Sequence, residues 1–304
     1  MNFRSNGKLL ITGEYLVLKG ADSLAVPLNF QQTIQIEKSD NPGLNWISKE
    51  KGNAWFQVTY DTSLFEITET NDEKTAKALA KILKAAIDLN SEFQNKLEKS
   101  VVTTNMDFER QWGFGSSSSL ISNIAFWAGV DPFELHKKIS SGSGYDVVTS
   151  RAEGPVVFNR DADKYTLAKA QFLPSFKNDI YFVFLGTKQD STKSVLEFNQ
   201  KKKSFRTEVE QISQISRHLK KSKSLEDFEY YIKEHEQIIA SVLKQKPIKE
   251  TIFKNFQGEA KSLGAWGGDF AMLTWQYGRE KLIKDLEKIN LNTVFTFDEL
   301  IKQW

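Results

Sequence analysis

The feature that most constrains this chain is a stretch of glycines and serines at residues 112–119, WGFGSSSS. Glycine permits positive φ and close backbone approach, so successive N–H groups can point into one concavity. Leu120, Ile124 and Trp127 follow at helical spacing and predict a helix that ends at Gly129. A helix N-terminus attracts anions, and serine hydroxyls there can reach phosphate oxygens or Mg²⁺. Taken alone, the segment is more simply a serine-capped helix after a glycine turn.

A second glycine segment, GSGYD, occupies residues 142–146 and ends in Asp146. A carboxylate directly after a glycine pair can orient an attacking hydroxyl and accept its proton. Glu134, on the predicted helix before it, could share Mg²⁺ with a serine hydroxyl. Taken alone, these residues are more simply an Asx-type turn and an exposed helical glutamate.

A third glycine segment, KSLGAWGGD, lies at residues 261–269 between a predicted helix and a predicted strand. A helix C-cap would account for Gly264 but not for Gly267 and Gly268. We therefore expect the backbone to approach a substrate or a phosphate here. Near the N-terminus, Lys8 opens a predicted strand, where its ammonium can stabilise charge on a transferring phosphoryl group. A lysine at a strand start is also commonly just solvated.

Composition removes several classes of protein. The chain has no cysteine, which excludes disulfides, thiolate catalysis and cysteine-based metal sites. Its 41 basic and 39 acidic residues nearly cancel, and no basic stripe of the kind that binds nucleic acid is present. No stretch approaches the roughly 20 apolar residues of a membrane span, and no signal peptide precedes the first strand. We expect a cytoplasmic protein with no nucleic-acid or membrane partner, and the oligomeric state stays open.

The remaining pattern mixes strands and helices and predicts an α+β protein. Apolar or alternating runs predict strands at residues 8–11, 15–18, 33–37, 54–60, 100–105, 156–158, 180–185, 270–275 and 294–297. Helical spacing predicts helices at residues 74–89, 116–129 and 279–289, several between 192 and 244, and one at 247–263. Loose polarity at 161–177 indicates a linker. We predict two domains, 1–170 and 171–304.

The order of these segments resembles that of the GHMP kinases, the family of galactokinase, homoserine kinase, mevalonate kinase and phosphomevalonate kinase. GKLLITGEYLVLKGADSLAVPL resembles the N-terminal motif, WGFGSSSSL the phosphate loop and LGAWGGDFAML the C-terminal glycine motif. The resemblance implies a two-domain GHMP kinase fold, with ATP and substrate in the interdomain cleft and Mg²⁺ as the second cofactor.

The resemblance also implies roles for individual residues. The catalytic pair is Asp146 and Lys8, and the metal ligands are Ser117 and Glu134. The residues expected to bind the nucleotide are Gly113, Gly115, Ser116, Ser117, Ser118 and Ser119. Those expected to bind the small acidic substrate are Glu14, Ser143, Gly144, Gly267, Gly268 and Asp269.

Within the family, the sequence is most similar to phosphomevalonate kinases. GSGYD, Asp269 and the Ser/Thr-rich segment 187–194 support this choice. Phe114, Ser118 and Ser119 depart from the usual phosphate loop, and Trp266 stands where the family has glycine. A mevalonate kinase, in which Asp146 would act as a true base, is the first alternative. A diphosphomevalonate decarboxylase suits GSGYD less well. The alternative from another class is a silent metabolite sensor, against which the retention of all four catalytic and metal positions argues.

Overall fold

A computed structural model describes residues 1–63, 65–162, 164–187, 191–201, 203–264 and 266–304. The chain forms two compact units that are interleaved along the sequence. Unit 1 comprises Met1–Gly7, Phe30–Arg110 and Phe114–Arg151. Unit 2 comprises Lys8–Asn29, Gln111–Gly113 and Ala152–Trp304. These units do not follow a single boundary at residue 170, and the division into domains 1–170 and 171–304 stays a prediction.

Among its described residues, unit 1 contains a mixed sheet and five α-helices. Its strands are β1 (Asn2–Leu10), β2 (Ser23–Lys38), β3 (Leu44–Glu50), β4 (Asn53–Asp61), β5 (Glu66–Thr70) and β6 (Ser100–Met106), of which β1 and β2 run on into unit 2. The order is β5-β4-β3-β6-β2, with β3 parallel to β6 and the other neighbours in this order antiparallel. Residues of β6 alternate between buried and half-buried, as expected for a strand with one face on the core.

The helices of unit 1 are α1 (Glu73–Leu89), α2 (Phe93–Leu97), α3 (Ser116–Ala128), α4 (Pro132–Ile139) and α5 (Tyr145–Thr149). Asp72 caps α1 by accepting a hydrogen bond from the Thr75 N–H, and the buried stripe of α1 includes Ala76, Leu79 and Leu83. Most residues of α3 are buried, including its serines Ser118, Ser119 and Ser122. The helices predicted at 74–89 and 116–129 are confirmed.

In the described part of unit 2 there are an antiparallel sheet, a hairpin and five α-helices. Its strands are β7 (Val156–Asp161), β8 (Lys164–Lys169), β9 (Ile180–Phe184), β10 (Ala260–Leu263), β11 (Phe270–Thr274) and β12 (Val294–Thr296). Its helices are α6 (Ser191–Asn199), α7 (Arg206–Leu219), α8 (Leu225–Leu243), α9 (Arg279–Glu287) and α10 (Phe297–Leu300). The sheet order is β10-β11-β9-β12, while β7 pairs with both β8 and the first part of β2. The expected α+β class is confirmed.

Three of the predicted elements were wrong. Residues 15–18 form no strand, because Gly13 at φ 99° turns the chain into a 3₁₀ helix at Leu16–Lys19. The linker predicted at 161–177 contains β8, an edge strand whose exposed polar residues concealed it. The helix predicted at 247–263 is a 3₁₀ turn at Ile248–Glu250 followed by a loop and β10. A side chain at Gly258 would overlap the Thr274 carbonyl oxygen, so the chain must pass close to β11 there.

No helix in the part of the chain that the structure describes is both long and apolar enough to cross a membrane.

Candidate functional site

The glycine–serine turn of the sequence opens α3 in unit 1. Gly115 is the N-cap in the left-handed conformation at φ 87°, which glycine adopts without steric cost. The first hydrogen bond within the helix runs from the Ser119 N–H to the Gly115 carbonyl, at 2.9 Å. The N–H groups that precede Ser119 in this turn have no partner within the helix and are available to other acceptors. Ser117 is exposed and Ser116 half-buried on this turn. The arrangement is suited to binding an anion.

Two serines of the same turn have their hydroxyls inside the protein. Ser118 and Ser119 are at most 2% exposed. The Ser118 hydroxyl donates to the Gly115 carbonyl at 2.9 Å, and that of Ser119 donates to Gln32 Oε1 at 2.7 Å. Their predicted contacts with a nucleotide stay a prediction, and the buried hydroxyls leave the backbone N–H groups as the available donors.

Further buried hydrogen bonds fix α3 against β1 and β2. Asn123 donates from Nδ2 to the Gln32 carbonyl at 2.9 Å and accepts from the Ser5 hydroxyl at Oδ1, at 2.8 Å. Gln32 therefore receives bonds from two residues of α3, one through its side chain and one through its backbone. This network holds the first turns of α3 at a fixed place on the sheet.

Asp146 lies in the first turn of α5, after Gly144 at φ 81°. A Cβ at Gly144 would lie 2.6 Å from the Phe133 ring, so only glycine fits there. The Asp146 side chain is half-buried, and its Oδ1 accepts from the Val147 N–H at 3.0 Å. Ser143 is buried beside it, and its hydroxyl oxygen accepts weakly from the Tyr145 N–H at 3.4 Å.

Glu134 lies at the third position of α4, half-exposed, with its Oε1 at 3.0 Å from the Lys137 ammonium. No group of three or more His, Asp or Glu side chains that could hold a metal occurs among the described residues. Mg²⁺ commonly uses only one or two protein oxygens together with substrate phosphates. The oxygens of Ser117 and Glu134 are of the type that it binds, and their role as its ligands stays a prediction.

Residues 8–28 of the N-terminal motif lie in unit 2, and the structure places the two residues predicted to act there, Lys8 and Glu14, differently. Lys8 lies near the end of β1 and is half-buried, so the expectation that it opens a strand was wrong. Glu14 is 2% exposed, in the turn after β1. Its observed partners are protein groups of the same unit, and its predicted contact with substrate stays a prediction.

Glu14 belongs to a cluster of four buried ionisable residues, which we call the ionic cluster: Glu14, His235, Glu236 and Lys261. The Lys261 ammonium lies 2.5 Å from Glu14 Oε1, and His235 Nε2 lies 3.1 Å from Glu14 Oε2. Glu236 accepts from the Ser262 N–H at 3.2 Å, and its Oε1 lies 3.8 Å from both Lys261 and His235. The cluster joins the turn after β1 to α8 and to β10.

Opposing effects act on the pKa of Glu14. Burial favours the protonated acid, but the charges of Lys261 and His235 and the hydrogen bond from Lys261 favour the carboxylate. The net effect holds the pKa of Glu14 below its ordinary value of 4.5. Glu14 is therefore ionised at neutral pH in spite of its burial.

The C-terminal glycine turn is shaped around Asp269, which is 3% exposed. A Cβ at either Gly113 or Gly264 would lie 2.8 Å from Asp269 Oδ2, and both glycines have positive φ. Gly267 is exposed at φ 80°, and Gly268 is buried. Trp266 stands where the GHMP kinases have glycine, and its side chain is buried in a core cluster that includes Leu16.

Sequence reasoning missed the partners of Glu14. His235 and Glu236 lie between Ile232 and Ile239 on the buried face of α8, at spacings that would continue an apolar stripe. Two ionisable residues on such a face were the available signal. Lys261 was visible beside the glycine segment, but nothing local indicated that it would be fully buried.

Unit 1 also has an open groove of about 520 Å³ between α1 and the end of α4, lined by four lysines, Lys77, Lys81, Lys84 and Lys138, above an apolar floor that includes Phe65. None of the predicted site residues lines it. The groove is therefore separate from the predicted catalytic and binding residues.

No family model matches the sequence, and no curated protein matches it. Solved structures do match its fold over nearly the whole chain. Mevalonate kinase from Methanococcus jannaschii has a TM-score of 0.67 at 16% identity, covering 100% of this chain and 98% of that one. Phosphomevalonate kinase from Streptococcus pneumoniae, in complex with phosphomevalonate and AMPPNP, has a TM-score of 0.71 at 16% identity. The match covers 98% of this chain and 100% of that one.

Mevalonate diphosphate decarboxylase from Staphylococcus aureus is also similar, with a TM-score of 0.60 at 10% identity and coverage of 99% and 93%. Kinases for two different acceptors and a decarboxylase thus share this architecture, which therefore does not distinguish their substrates. At these identities the comparisons concern the fold. The chain has the fold of the GHMP kinases.

Proposed function

We propose that the protein is an ATP-dependent small-molecule kinase that phosphorylates phosphomevalonate, in the mevalonate pathway to isoprenoid precursors. The observation that carries the proposal is the start of α3, where Gly115 in the left-handed conformation leads into a turn with open N–H groups and the exposed Ser117. A triphosphate is the ligand that such a turn suits, because both the backbone dipoles and the N–H donors favour anionic oxygens. The proposal includes ATP, Mg²⁺ and a cytoplasmic location.

Within unit 1, Ser117 and Glu134 would hold Mg²⁺, which when bound offsets the negative charge of the phosphates. Ser116 and the backbone of 115–119 would hold the phosphates in one orientation. Asp146 is half-buried and follows Gly144, a position where the Phe133 ring leaves no room for a side chain. Its carboxylate would orient the acceptor oxygen. A phosphate monoester acceptor is already largely ionised near neutral pH, so Asp146 would position it and need not remove a proton.

Within unit 2, Lys8 would offset charge that develops on the transferring phosphoryl group. Gly267 and Gly268 would allow the backbone to approach the substrate, and Asp269 would fix the turn that carries them. Phosphomevalonate is favoured over mevalonate by GSGYD and by Asp269. The Ser/Thr-rich segment 187–194 also favours it, although residues 188–190 lie outside the described part of the chain.

The test is ATP-dependent transfer to a panel of phosphomevalonate, mevalonate, homoserine and galactose, with release of ADP as the readout. We expect the highest kcat/KM with phosphomevalonate. A preference for mevalonate would replace the acceptor and keep the kinase. Tight binding of MgATP with transfer to no acceptor would instead indicate the silent sensor.

Asp146→Asn separates the kinase from the sensor more sharply. The amide keeps the shape of the side chain and removes its charge, so we expect kcat to fall about a hundredfold or more while folding is preserved. The matched control is Asp40→Asn, an exposed aspartate of the same unit, which should leave kcat unchanged. Equal rates for the two variants would contradict the role of Asp146.

A further inference from the structure

The ionic cluster contains one nitrogen with two incompatible neighbours. The Gly13 N–H donates to His235 Nε2 at 3.0 Å, which requires an Nε2 without a proton. The same Nε2 lies 3.1 Å from Glu14 Oε2, and two acceptors at that distance repel each other unless one carries a proton. Glu14 Oε2 is buried and has no hydrogen-bond donor among the described residues. One proton on Nε2 would satisfy Glu14 and displace Gly13.

The charges of the cluster support both states. Among the described residues, His235 lies against Glu14 from the turn after β1 and Glu236 from its own helix, and Lys261 from β10 lies against both of these carboxylates. With a neutral imidazole, two carboxylates face one ammonium. With an imidazolium the four charges balance, which a low-dielectric interior favours. The hydrogen bond from Gly13 favours the neutral imidazole, whereas the surrounding carboxylates favour the imidazolium.

The turn that would respond is otherwise well fixed. Thr12 lies 2.6 Å from the Ser216 hydroxyl of α7 and accepts from the Leu24 N–H at 2.9 Å. The Val17 N–H donates to the Gly13 carbonyl at 2.8 Å. The bond from Gly13 to His235 is therefore the contact through which a change of charge in the cluster would reach the backbone of this turn.

We propose that His235 is a positioning residue for the kinase reaction, which holds the Gly13–Glu14 turn in its active conformation only while Nε2 is unprotonated. When Nε2 takes up a proton, it donates to Glu14 Oε2 and releases the Gly13 N–H. The turn carries Glu14, a predicted substrate-binding residue that contacts His235, so its conformation bears on where the Glu14 carboxylate lies. This inference rests on the proposed function for its effect on rate, but the change of hydrogen bonds occurs without substrate.

The direct test follows the hydrogen bonds by NMR in protein labelled with ¹⁵N-histidine and ¹⁵N-glycine, from pH 8.5 to pH 5. We expect the Gly13 amide and His235 Nε2 to titrate together, with Nε2 unprotonated at the alkaline end. In His235→Gln, a side-chain oxygen can accept the Gly13 N–H but does not titrate, so the Gly13 shift should stay constant. The control is His218→Gln, which removes an exposed histidine of α7. In this variant Gly13 and His235 should titrate as they do in the wild type.

The second readout is kcat/KM for the acceptor found in the panel over the same pH range. We expect a tenfold fall per pH unit on the acid side of the His235 titration in wild type and in His218→Gln. This fall should be absent in His235→Gln, and His235→Leu, which has no acceptor, should be about tenfold slower at every pH. If His235 had only a structural role, its replacement by glutamine would leave the pH dependence of kcat/KM unchanged.

Several results would overturn the proposal. They are an Nε2 that stays protonated up to pH 8.5, a Gly13 amide that does not follow His235, and a His235→Gln variant with the wild-type acid limb. If His235→Leu does not fold, the glutamine variant and the wild-type titration still decide. Coupled titration of Gly13 and His235 in a protein with no kinase activity would support the hydrogen-bond exchange and reject the proposed function.

Discussion

At the scale of single residues, the glycines of this chain fall into two kinds. Gly113 and Gly264 are required by a neighbour, since any side chain there would meet the Asp269 carboxyl group. Gly267 has open space around it and positive φ, so its requirement is conformational. The sequence indicated that these glycines were unusual. It could not show that Asp269 was the residue they accommodate, because that contact joins segments far apart in the chain.

Lys261 provides a prediction about stability. Lys261→Met keeps most of the side-chain volume but leaves the buried Glu14 without its cation. Breaking one side of a buried ion pair typically costs about 3–5 kcal/mol, so we expect the free energy of unfolding to fall by that amount. Urea unfolding at pH 7 measures it, with the exposed Lys254→Met of the same unit as the control.

The double variant Glu14→Gln/Lys261→Met should regain part of the lost stability, because no uncompensated charge remains from the pair. A single Lys261→Met variant as stable as the control would mean that Glu14 takes up a proton at no cost. The ionic cluster would then not be held by charge.

At the scale of elements, the sequence pattern predicted those that bury one face and leave the other more exposed. The alternation at 33–37 and the β-branched run at 100–105 became parts of β2 and β6, and the apolar spacing at 74–89 became α1. It failed where an element is defined by a partner strand rather than by its own pattern. β8 is an edge strand with exposed residues, and β10 is only four residues long. Neither carries enough local signal to be distinguished from a loop.

The start of α3 provides a paired prediction, since neighbouring serines there have opposite surroundings. Ser117 is exposed, so Ser117→Ala should lower kcat/KM with MgATP at least tenfold and change the free energy of unfolding by less than about 0.5 kcal/mol. Ser119→Ala leaves Gln32 Oε1 buried without its donor, which should cost about 1–3 kcal/mol of stability.

The measurements are urea unfolding and steady-state kinetics on both variants. If Ser117→Ala retained activity within twofold of wild type, the assignment of this turn to the nucleotide would be wrong. A Ser119→Ala variant of wild-type stability would show that the hydrogen bond to Gln32 does not hold α3 on β2.

At the scale of the whole molecule, the two units are built from segments that alternate along the chain. Residues 8–29 belong with the C-terminal half of the chain. The hydrogen bond from Gly13 to His235 joins residues that are 222 positions apart in the sequence. A pattern that is read locally cannot supply such pairings. The order of the glycine segments, read from the sequence, carried the resemblance that implied the fold, while the ionic cluster had to come from the packing.

The pH dependence of stability is the prediction at this scale. The pKa of Glu14 lies below 4.5 in the folded protein, so the unfolded chain binds more protons than the folded chain as pH falls below that value. The contribution of Glu14 to stability is therefore complete above about pH 5.5 and is lost as pH falls through 4.5 towards the folded-state pKa. Each proton taken up on unfolding contributes a slope of about 1.4 kcal/mol per pH unit.

Urea unfolding from pH 7 to pH 3.5, on wild type and on Glu14→Gln, isolates this contribution. Glu14→Gln should be less stable than wild type at pH 7, because Lys261 then lacks its carboxylate, and the difference should narrow below pH 4.5 as Glu14 begins to take up its proton. Asp179 and Glu259, whose pKa values are raised by burial, bind protons more readily in the folded state and act in the opposite direction in both proteins. Because they are common to the pair, they cancel in the difference. Parallel curves across the whole range would show that the carboxylate of Glu14, although buried beside Lys261, has the same proton affinity in the folded and unfolded chains.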